Sequence, residues 1–300
     1  MQLLRKNQGE EFPQFILKWP TLVGITAMHL GLIFAPMTFS WPAFTVFLVL
    51  GWVTLGLGVT LGYHRLLTHR SFKAAKGLEY FLSLCGALAA QGGPMKWDAT
   101  HRMHHAFSDR PQDPHSPTRG FWWAHMGWLL AYDEILDHPT EHWRYAPEIA
   151  NDPVHRFISQ KNLILQVALG SLLFLWGGWS FVIWGIFVRI VFNWHCTWLV
   201  NSVCHIWGYQ NYETGERSRN NPFLALLTYG DGWHNNHHAY PTSAAHGLRW
   251  WEFDTTYLTI RCFAIVGLVG KVVLPRGNPT KLPPLKSLLQ MQESDQAVLV

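Results

Sequence analysis

Residues 19–63 read WPTLVGITAMHLGLIFAPMTFSWPAFTVFLVLGWVTLGLGVTLGY, 45 positions without an Asp, Glu, Lys or Arg. A polar break at Pro36 to Pro42 splits the stretch into two apolar runs of about 20 residues, and at 1.5 Å per residue each covers the roughly 30 Å of a bilayer's hydrocarbon. A second such region runs from Asn162 past the lone Arg189 to about Val200, broken at Gly177-Gly178-Trp179-Ser180. The whole chain agrees: 49% of its residues are hydrophobic, 17 are Trp and 18 Phe, and only 14% are charged, well below an ordinary soluble domain. The expectation is an all-α integral membrane protein with four transmembrane helices in two hairpins, at about 20–38, 42–63, 160–177 and 180–200.

Charge orients them. The two hairpin turns carry none, whereas Arg5, Lys6, Lys18, Arg65, Arg70, Lys73, Arg156, Lys161, Arg217 and Arg219 flank the other ends. The positive-inside rule then puts the N-terminal segment 1–18, a helical cap at 64–159 and 201–274, and a flexible tail at 275–300 in the cytoplasm, with 19–274 as one membrane domain. The 18 residues before the first span lack an apolar core and a small-residue cleavage site, so that span is expected to be retained. Leu78 to Ala90 is apolar enough to suggest a fifth span. With about 13 residues and Glu79 within it, an interfacial or protein-buried helix fits better, and Phe121 to Tyr132 and Cys262 to Leu274 look similarly interfacial. The four cysteines show no C-x-x-C spacing and read as packed thiols. The net charge of +4 suits membrane flanks, and no basic, aromatic stripe argues for nucleic acid.

Three histidine clusters fall on the cytoplasmic side: His64 and His69 in HRLLTH, His101, His104 and His105 in HRMHH, and His234, His237 and His238 in HNNHH. On a helix the positions i, i+3 and i+4 share a face, so each H-x-x-H-H presents three ring nitrogens together, a half-built metal cage. Packing gives no reason to repeat such a pattern. A metal transporter is the rival reading, but its site belongs near the bilayer midplane, not at span ends. Imidazole suits Zn, Cu, Ni and Fe alike, so the residues do not choose the metal. Asp98 and Asp231 each stand three residues before a box histidine, placed either to orient an imidazole or to cap a helix. His29, His115, His125, His138, His142, His155, His195 and His246 are expected to be structural.

The motifs GYHRLLTHRSFKA, WDATHRMHH, DPHSPTRGFWWAHMGW, TWLVNSVCHIWG and DGWHNNHHAYP, in this order over about residues 20–255, resemble those of the membrane-bound acyl desaturases, within them the Δ9 (stearoyl-type) group. The HNNHH form and the lack of a fused cytochrome domain are closest in style to bacterial and cyanobacterial acyl-lipid members. The resemblance implies two iron ions held by His64, His69, His101, His104, His105, His205, His234, His237 and His238, with Asn201 reaching a metal through water; Asn201 and His205 are expected on one helical face. It implies a cis double bond placed at carbon 9 of a saturated C16–C18 chain, using O2 and two external electrons from ferredoxin or cytochrome b5. A hydroxylase on the same scaffold shares the first C–H cleavage and stays open as an alternative.

The resemblance also places the closed end of the substrate tunnel at Trp52 and Gly56. There a bulky indole would limit the chain to about 16 to 18 carbons. Acyl-CoA members carry basic residues just after the Gly127-Trp128-Leu129-Leu130 segment, whereas here Asp133 and Glu134 follow. Negative charge would repel the nucleotide phosphates, so a chain esterified in membrane glycerolipid is the expected substrate ahead of acyl-CoA. Arg189, the one charge within a span, has no assignable role at this level.

Overall fold

The computed structural model describes residues 15–138 and 140–275, so the expected segment up to residue 14 and the tail beyond residue 275 lie outside the described residues. The protein is mostly helical. α1 (Trp19–Gly31) leads through short turns to α2 (Trp41–Gly51), which continues without a break as a wide π-helical segment, Trp52–Thr68. α3 (Lys76–Ala87), α4 (Pro94–Phe107), a π turn Trp123–Gly127 with α5 (Trp128–Leu130), and α6 (Pro147–Asn151) follow. α7 (Pro153–Val182), a π segment Ile183–Val188 and α8 (Arg189–Val203) make the second apolar region, before α9 (Pro222–Leu227), α10 (His234–Ala239) and α11 (Thr255–Ile265). The one sheet among the described residues pairs β1 (Lys73–Ala74) with β2 (Val269–Gly270).

Local chemistry sets the boundaries. Ser40 caps α2 by accepting from Ala43 N, with Pro42 in the first turn, and Asp152 caps α7 by accepting from Val154 N and His155 N. The α7 path breaks at Gly177 and Gly178; Gly178 has φ 64°, a conformation glycine adopts without Cβ strain. Past this break the chain turns back, because Gly170 faces Ile186 and Leu173 faces Gly185. In one continuous helix Gly170 and Ile186 would be roughly 24 Å apart. The two uncharged turns meet: Ser180 Oγ donates to Thr38 O at 2.6 Å and lies 3.2 Å from Ser40 Oγ.

Two helical stretches, Trp41–Thr68 and Pro153–Val203, are long and apolar enough to cross a membrane, and Trp19–Phe34 is a shorter apolar helix. Leu30, Ile33, Leu48, Leu163, Leu172 and Leu175 are exposed on their outer faces, an apolar coat that suits lipid rather than water. The second helix extends past the expected end at residue 63 to Thr68, so His64 is carried on the helix itself, and α7 starts seven residues before the expected span.

In the Leu78–Ala90 region the helix is α3, which ends at Ala87; its second half, Leu82, Ser83, Cys85, Gly86 and Ala87, is buried in protein while Phe81 is exposed. α3 packs along the π segment so closely that a Cβ on Gly58 would strike the backbone of Cys85 and Gly86, while Gly86 makes room for the Tyr63 ring. Of Cys262–Leu274 only the part to Ile265 is helical, as the end of α11, and Val269–Gly270 pairs with β1, with Ile265, Val266 and Leu268 exposed. A core of Leu61, Tyr63, Leu82, Met95, Met103 and Ile260 then joins the π segment, α3, α4 and α11, bringing the ends of the apolar helices under the histidine-bearing elements.

Candidate metal centre

The elements that carry the boxes converge. The π segment presents His64, and His69 follows its last turn; α4 presents His101, His104 and His105; α10 presents His234, His237 and His238. Their nitrogens fall into two groups whose potential ligand atoms all lie within 4.8 Å of one another: His64, His69, His101, His105 and His237 in one, and His104, His205, His234 and His238 in the other. All nine sequence-expected imidazoles are thus brought together in two adjoining clusters.

Within the first cluster the Nε2 atoms of His64 and His237 are 3.1 Å apart, His69 and His101 3.0 Å, His101 and His105 3.1 Å, and His105 and His237 2.8 Å. In the second, His104 and His238 are 3.2 Å apart, His205 and His234 3.0 Å, and His234 and His238 3.1 Å. Two nitrogens bound to one ion at about 2.1 Å and at right angles sit roughly 3.0 Å apart, so the spacing is that of neighbouring ligands. One N–H per nitrogen does not account for it, because the Nε2 atoms of His101, His105, His237, His234 and His238 each face two others; burial and the neighbouring imidazoles also hold His69, His101, His105, His234, His237 and His238 well below the usual imidazole range, against doubly protonated rings. Lone pairs of neutral rings facing one another repel unless a cation lies between them, so the donor set fits a metal ion in each cluster.

Carboxylates hold the far side of the rings. His64 Nδ1 lies 3.1 Å from Asp231 Oδ2, His104 Nδ1 3.0 Å from Asp113 Oδ2, and His205 Nδ1 3.1 Å from Asp109 Oδ1. Glu216 is 3.6 Å from His238 Nδ1. A carboxylate there keeps the proton on Nδ1 and turns the Nε2 lone pair inward. Burial pushes the Asp113 carboxyl up, but its contacts with His104 and His115 outweigh it and hold it at about 2; Asp231 is held well below the carboxylate range in the same way by His64 and His246. Burial lowers His205, yet its bond to Asp109 leaves it raised overall.

The expectations for Asp98 and Asp231 are corrected in detail. Among the described residues Asp98 meets no imidazole: it pairs with Arg102 at 3.0 Å and accepts from Thr68 Oγ1, so it belongs to the framework of α4. Asp231 serves His64 and not the adjacent His234, and neither Asp is a helix cap, since Asp98 lies inside α4 and Trp233 precedes α10. His205 lies two residues past the end of α8, off the helical face that carries Asn201. Asp109, Asp113 and Glu216 were not expected; Asp113 lay within the quoted DPHSP, whereas Asp109 and Glu216 had no pattern to mark them.

Some histidines read as structural stand closer to the chemistry. The His246 ring is 4.4 Å from that of His237, with Nδ1 3.3 Å from Asp231, and the His115 ring is 4.3 Å from that of His104. His29, His195, His125 and Ser202 form a hydrogen-bonded chain at 3.0–3.1 Å per link, joining α1, α8 and the turn before α5. His155 bonds Glu79 at 3.0 Å and ties α7 to α3.

A cavity of about 280 Å³ reaches the first cluster at His101. Trp97, Trp123, Trp128, Trp194 and Trp198 make its apolar walls, Asn201 and Thr197 also line it, and Lys18, Lys96, Tyr132 and Asp133 stand among its polar residues. Its course is fixed by Gln91, whose Nε2 donates to Thr197 Oγ1 at 2.8 Å and whose Oε1 accepts from Trp97 Nε1 at 3.4 Å, and Trp97 stacks on His101. Trp52 and Gly56 are not among the lining residues; the Trp52 indole packs over Gly56 beside Tyr229. An apolar cluster of Leu55, Val59, Ala89 and Cys196 connects Trp97 on the cavity wall to Tyr229.

Residues 39–263 match the family model for fatty acid desaturases. The chain is 51% identical over 261 residues to an sn-1 stearoyl-lipid 9-desaturase of Anabaena variabilis, covering 86% of this chain and 94% of that protein. It is 47% identical to an sn-1 stearoyl-lipid 9-desaturase of Synechocystis sp. (88% and 82% covered) and 43% identical to an sn-2 palmitoyl-lipid 9-desaturase of Nostoc sp. (86% and 90% covered). With three quarters of its length matched and the histidine clusters assembled on those same residues, the chain belongs to the fatty acid desaturase family.

Proposed function

We propose that this protein is a multi-pass membrane acyl-lipid Δ9 desaturase, converting a –CH2–CH2– pair of a C16–C18 chain esterified in glycerolipid to a cis –CH=CH– pair. The balance is one O2, two electrons and two protons consumed with the two substrate hydrogens, and two waters released. The observation that carries this reading is the pair of clusters with nine inward-facing imidazole nitrogens at the end of an aromatic-lined cavity. The names of the similar proteins support the position and the lipid carrier.

Two iron ions would be held by His64, His69, His101, His105 and His237 and by His104, His205, His234 and His238, and Asn201, which lines the cavity, would reach a metal through water. Bound iron supplies the redox chemistry that lets O2 attack an unactivated C–H bond, which a redox-inert ion such as zinc does not. The chain's own residues position and exclude. Asp231, Asp113 and Asp109 fix the tautomers of His64, His104 and His205. Tryptophan walls keep water from the reacting methylenes, and the Gln91–Thr197–Trp97 bonds set the depth at which the chain passes His101.

In this reading α1, α2 with its π extension, and the two arms from α7 to α8 are four spans, with both termini and a cap at 64–159 and 201–274 cytoplasmic. An external ferredoxin, or cytochrome b5, delivers the electrons to that face. Carrier choice is supported at the cavity mouth. Lys18 and Lys96 share Asp137, at 2.9 Å and 2.5 Å from their Nζ atoms, with Asp133 beside them on the cavity wall, so the two lysines there are matched by two carboxylates rather than by nucleotide phosphates.

The test is gas chromatography with mass spectrometry of membrane fatty acids from a desaturase-deficient host expressing the chain or its His101→Ala variant. The expected result is new cis-9 monoenes that the variant lacks. Hydroxy-acids would favour the hydroxylase, and an unchanged profile with a competent electron donor would defeat the desaturase. Efficient turnover of stearoyl-CoA by the purified enzyme, with membrane lipid ignored, would reverse the choice of carrier.

A further inference from the structure

α3 descends along the π segment and stops at Ala87, and the carbonyl that follows, Leu88 O, lies at the level of Thr54, ten residues before His64. Ala87 and Ala89 are fully buried, and carbonyls that end a helix inside the protein need protein donors. Three side chains of the other hairpin supply them. Gln166 Nε2 donates to Ala87 O at 2.9 Å, Arg189 Nη1 to Leu88 O at 2.7 Å, and Trp194 Nε1 to Ala90 O at 2.8 Å.

Arg189 is the centre of this group. It is fully buried, its Nε donates to Gly185 O, and its Nη1 also meets Thr54 Oγ1 at 2.9 Å. No carboxylate pairs with it among the described residues, so its compensation is the negative end of α3 and the oxygens around it. A charge kept in that setting is expected to have a use.

The turn it holds is a wall of the cavity, through Ala90, Gln91 and Gly92. Ala90 sits at φ 57°, a left-handed conformation that a residue with a Cβ keeps only when its surroundings enforce it. The next residue, Gln91, bonds Thr197 and Trp97, and Trp97 stacks on His101. Contacts therefore run without a gap from Arg189 through the turn to the first histidine cluster.

We propose that Arg189 is a positioning residue for desaturation: by pinning the turn Leu88–Gly92 it fixes the course of the acyl channel past His101 and so decides which pair of methylenes is presented. The inference rests on the desaturase reading. It differs from a purely structural role in one observable, because loosening the turn changes where along the chain the double bond falls, not only how much product forms.

The experiment compares the wild type with Arg189→Met, Arg189→Lys and Gln166→Leu in the desaturase-deficient host, reading double-bond position by mass spectrometry and, on purified protein, metal content and Tm. Arg189→Met is expected to bind metal as the wild type does while the share of product with the bond at neighbouring carbons rises roughly tenfold. Arg189→Lys, which keeps the charge and the N–H donors of an ammonium but not the guanidinium's separate nitrogens, is expected to restore much of the single position, and Gln166→Leu to spread it to a smaller degree. A folded, metal-replete Arg189→Met protein that yields one unchanged isomer overturns the proposal. If that variant does not accumulate, Gln166→Leu decides: a spread supports the pinned turn, and an unchanged isomer pattern overturns it. A wild type that yields no monoene at all would instead defeat the desaturase reading.

Discussion

His64 faces both ways: its Nδ1 lies 3.1 Å from Asp231 Oδ2 and its Nε2 3.1 Å from His237 Nε2. The carboxylate thus decides what the ring can offer the cluster. Asp231 also lies 3.3 Å from His246 and 3.4 Å from Arg65, so one buried acid orients two imidazoles under the charge of an arginine.

Asp231→Asn keeps the size of the side chain but gives His64 no charged acceptor. Metal affinity at the five-histidine cluster is expected to fall about 10- to 100-fold, as it does when such partners are removed from other histidine sites. Arg65 retains Asp254 at 3.0 Å and Ala244 O at 2.6 Å, so the fold should persist. Metal content after dialysis against a graded chelator series measures this, and wild-type retention would refute it.

Asp98→Asn should behave in the opposite way. Asp98 binds Arg102 and Thr68, and Arg102 keeps Glu148, Leu67 O and Tyr145 O when the carboxylate is gone. The expected cost is about 1–3 kcal/mol of stability, seen as a lower Tm, with metal content unchanged. Loss of metal without loss of Tm would restore Asp98 to the metal centre.

The contrast between these two acids marks what the sequence could convey. Helical spacing gave the right geometry for His101, His104 and His105, because α4 is regular over its whole length. It misled at Asp98, where the i+4 neighbour Arg102 claims the carboxylate before any imidazole can. Pro42 and the Gly177-Gly178 pair announced the hairpin turns, since both act on the backbone locally. Asp109, Asp113 and Glu216 arrive on irregular segments brought in by the tertiary fold, and no period in the chain encodes that. His205 belongs with them, because α8 ends before reaching it.

Acid should expose the Glu148 pairing. Burial pushes this carboxyl up from its usual 4.5, but the hydrogen bonds and charge of Arg102 and the bond to Arg70 outweigh it and hold it at about 2. Its folded value lies below its unfolded one, so the unfolded chain takes up the proton first. The stabilisation is complete above about pH 4.5 and is lost as the pH falls towards 2. The Tm difference between wild type and Glu148→Gln is therefore expected to be constant near neutrality and to shrink over that interval. A difference still undiminished at the acid end of that interval would count against the pairing.

Chain length tests the far end of the channel. Trp52 lies outside the cavity lining, yet its indole covers Gly56 beside Tyr229, and the Leu55–Val59–Ala89–Cys196 cluster connects Tyr229 to Trp97 on the cavity wall. If the acyl tail passes through that cluster, the indole is what it meets. Trp52→Ala should then admit longer chains, weakening the preference for an 18-carbon over a 20-carbon chain by at least about tenfold, since each methylene refused by an apolar wall is worth about 1–3 kcal/mol. Gly56→Ala acts in the other direction. Its new Cβ would stand 2.9 Å from Trp52 Cδ1, so the indole must shift, and the expected product balance moves towards 16 carbons. Supplying the host with matched C16, C18 and C20 acids and reading the monoenes of each length gives both results in one assay. Opposite shifts in the two variants locate the tunnel end at Trp52; no shift in either makes Trp52 a packing residue and places the wall elsewhere.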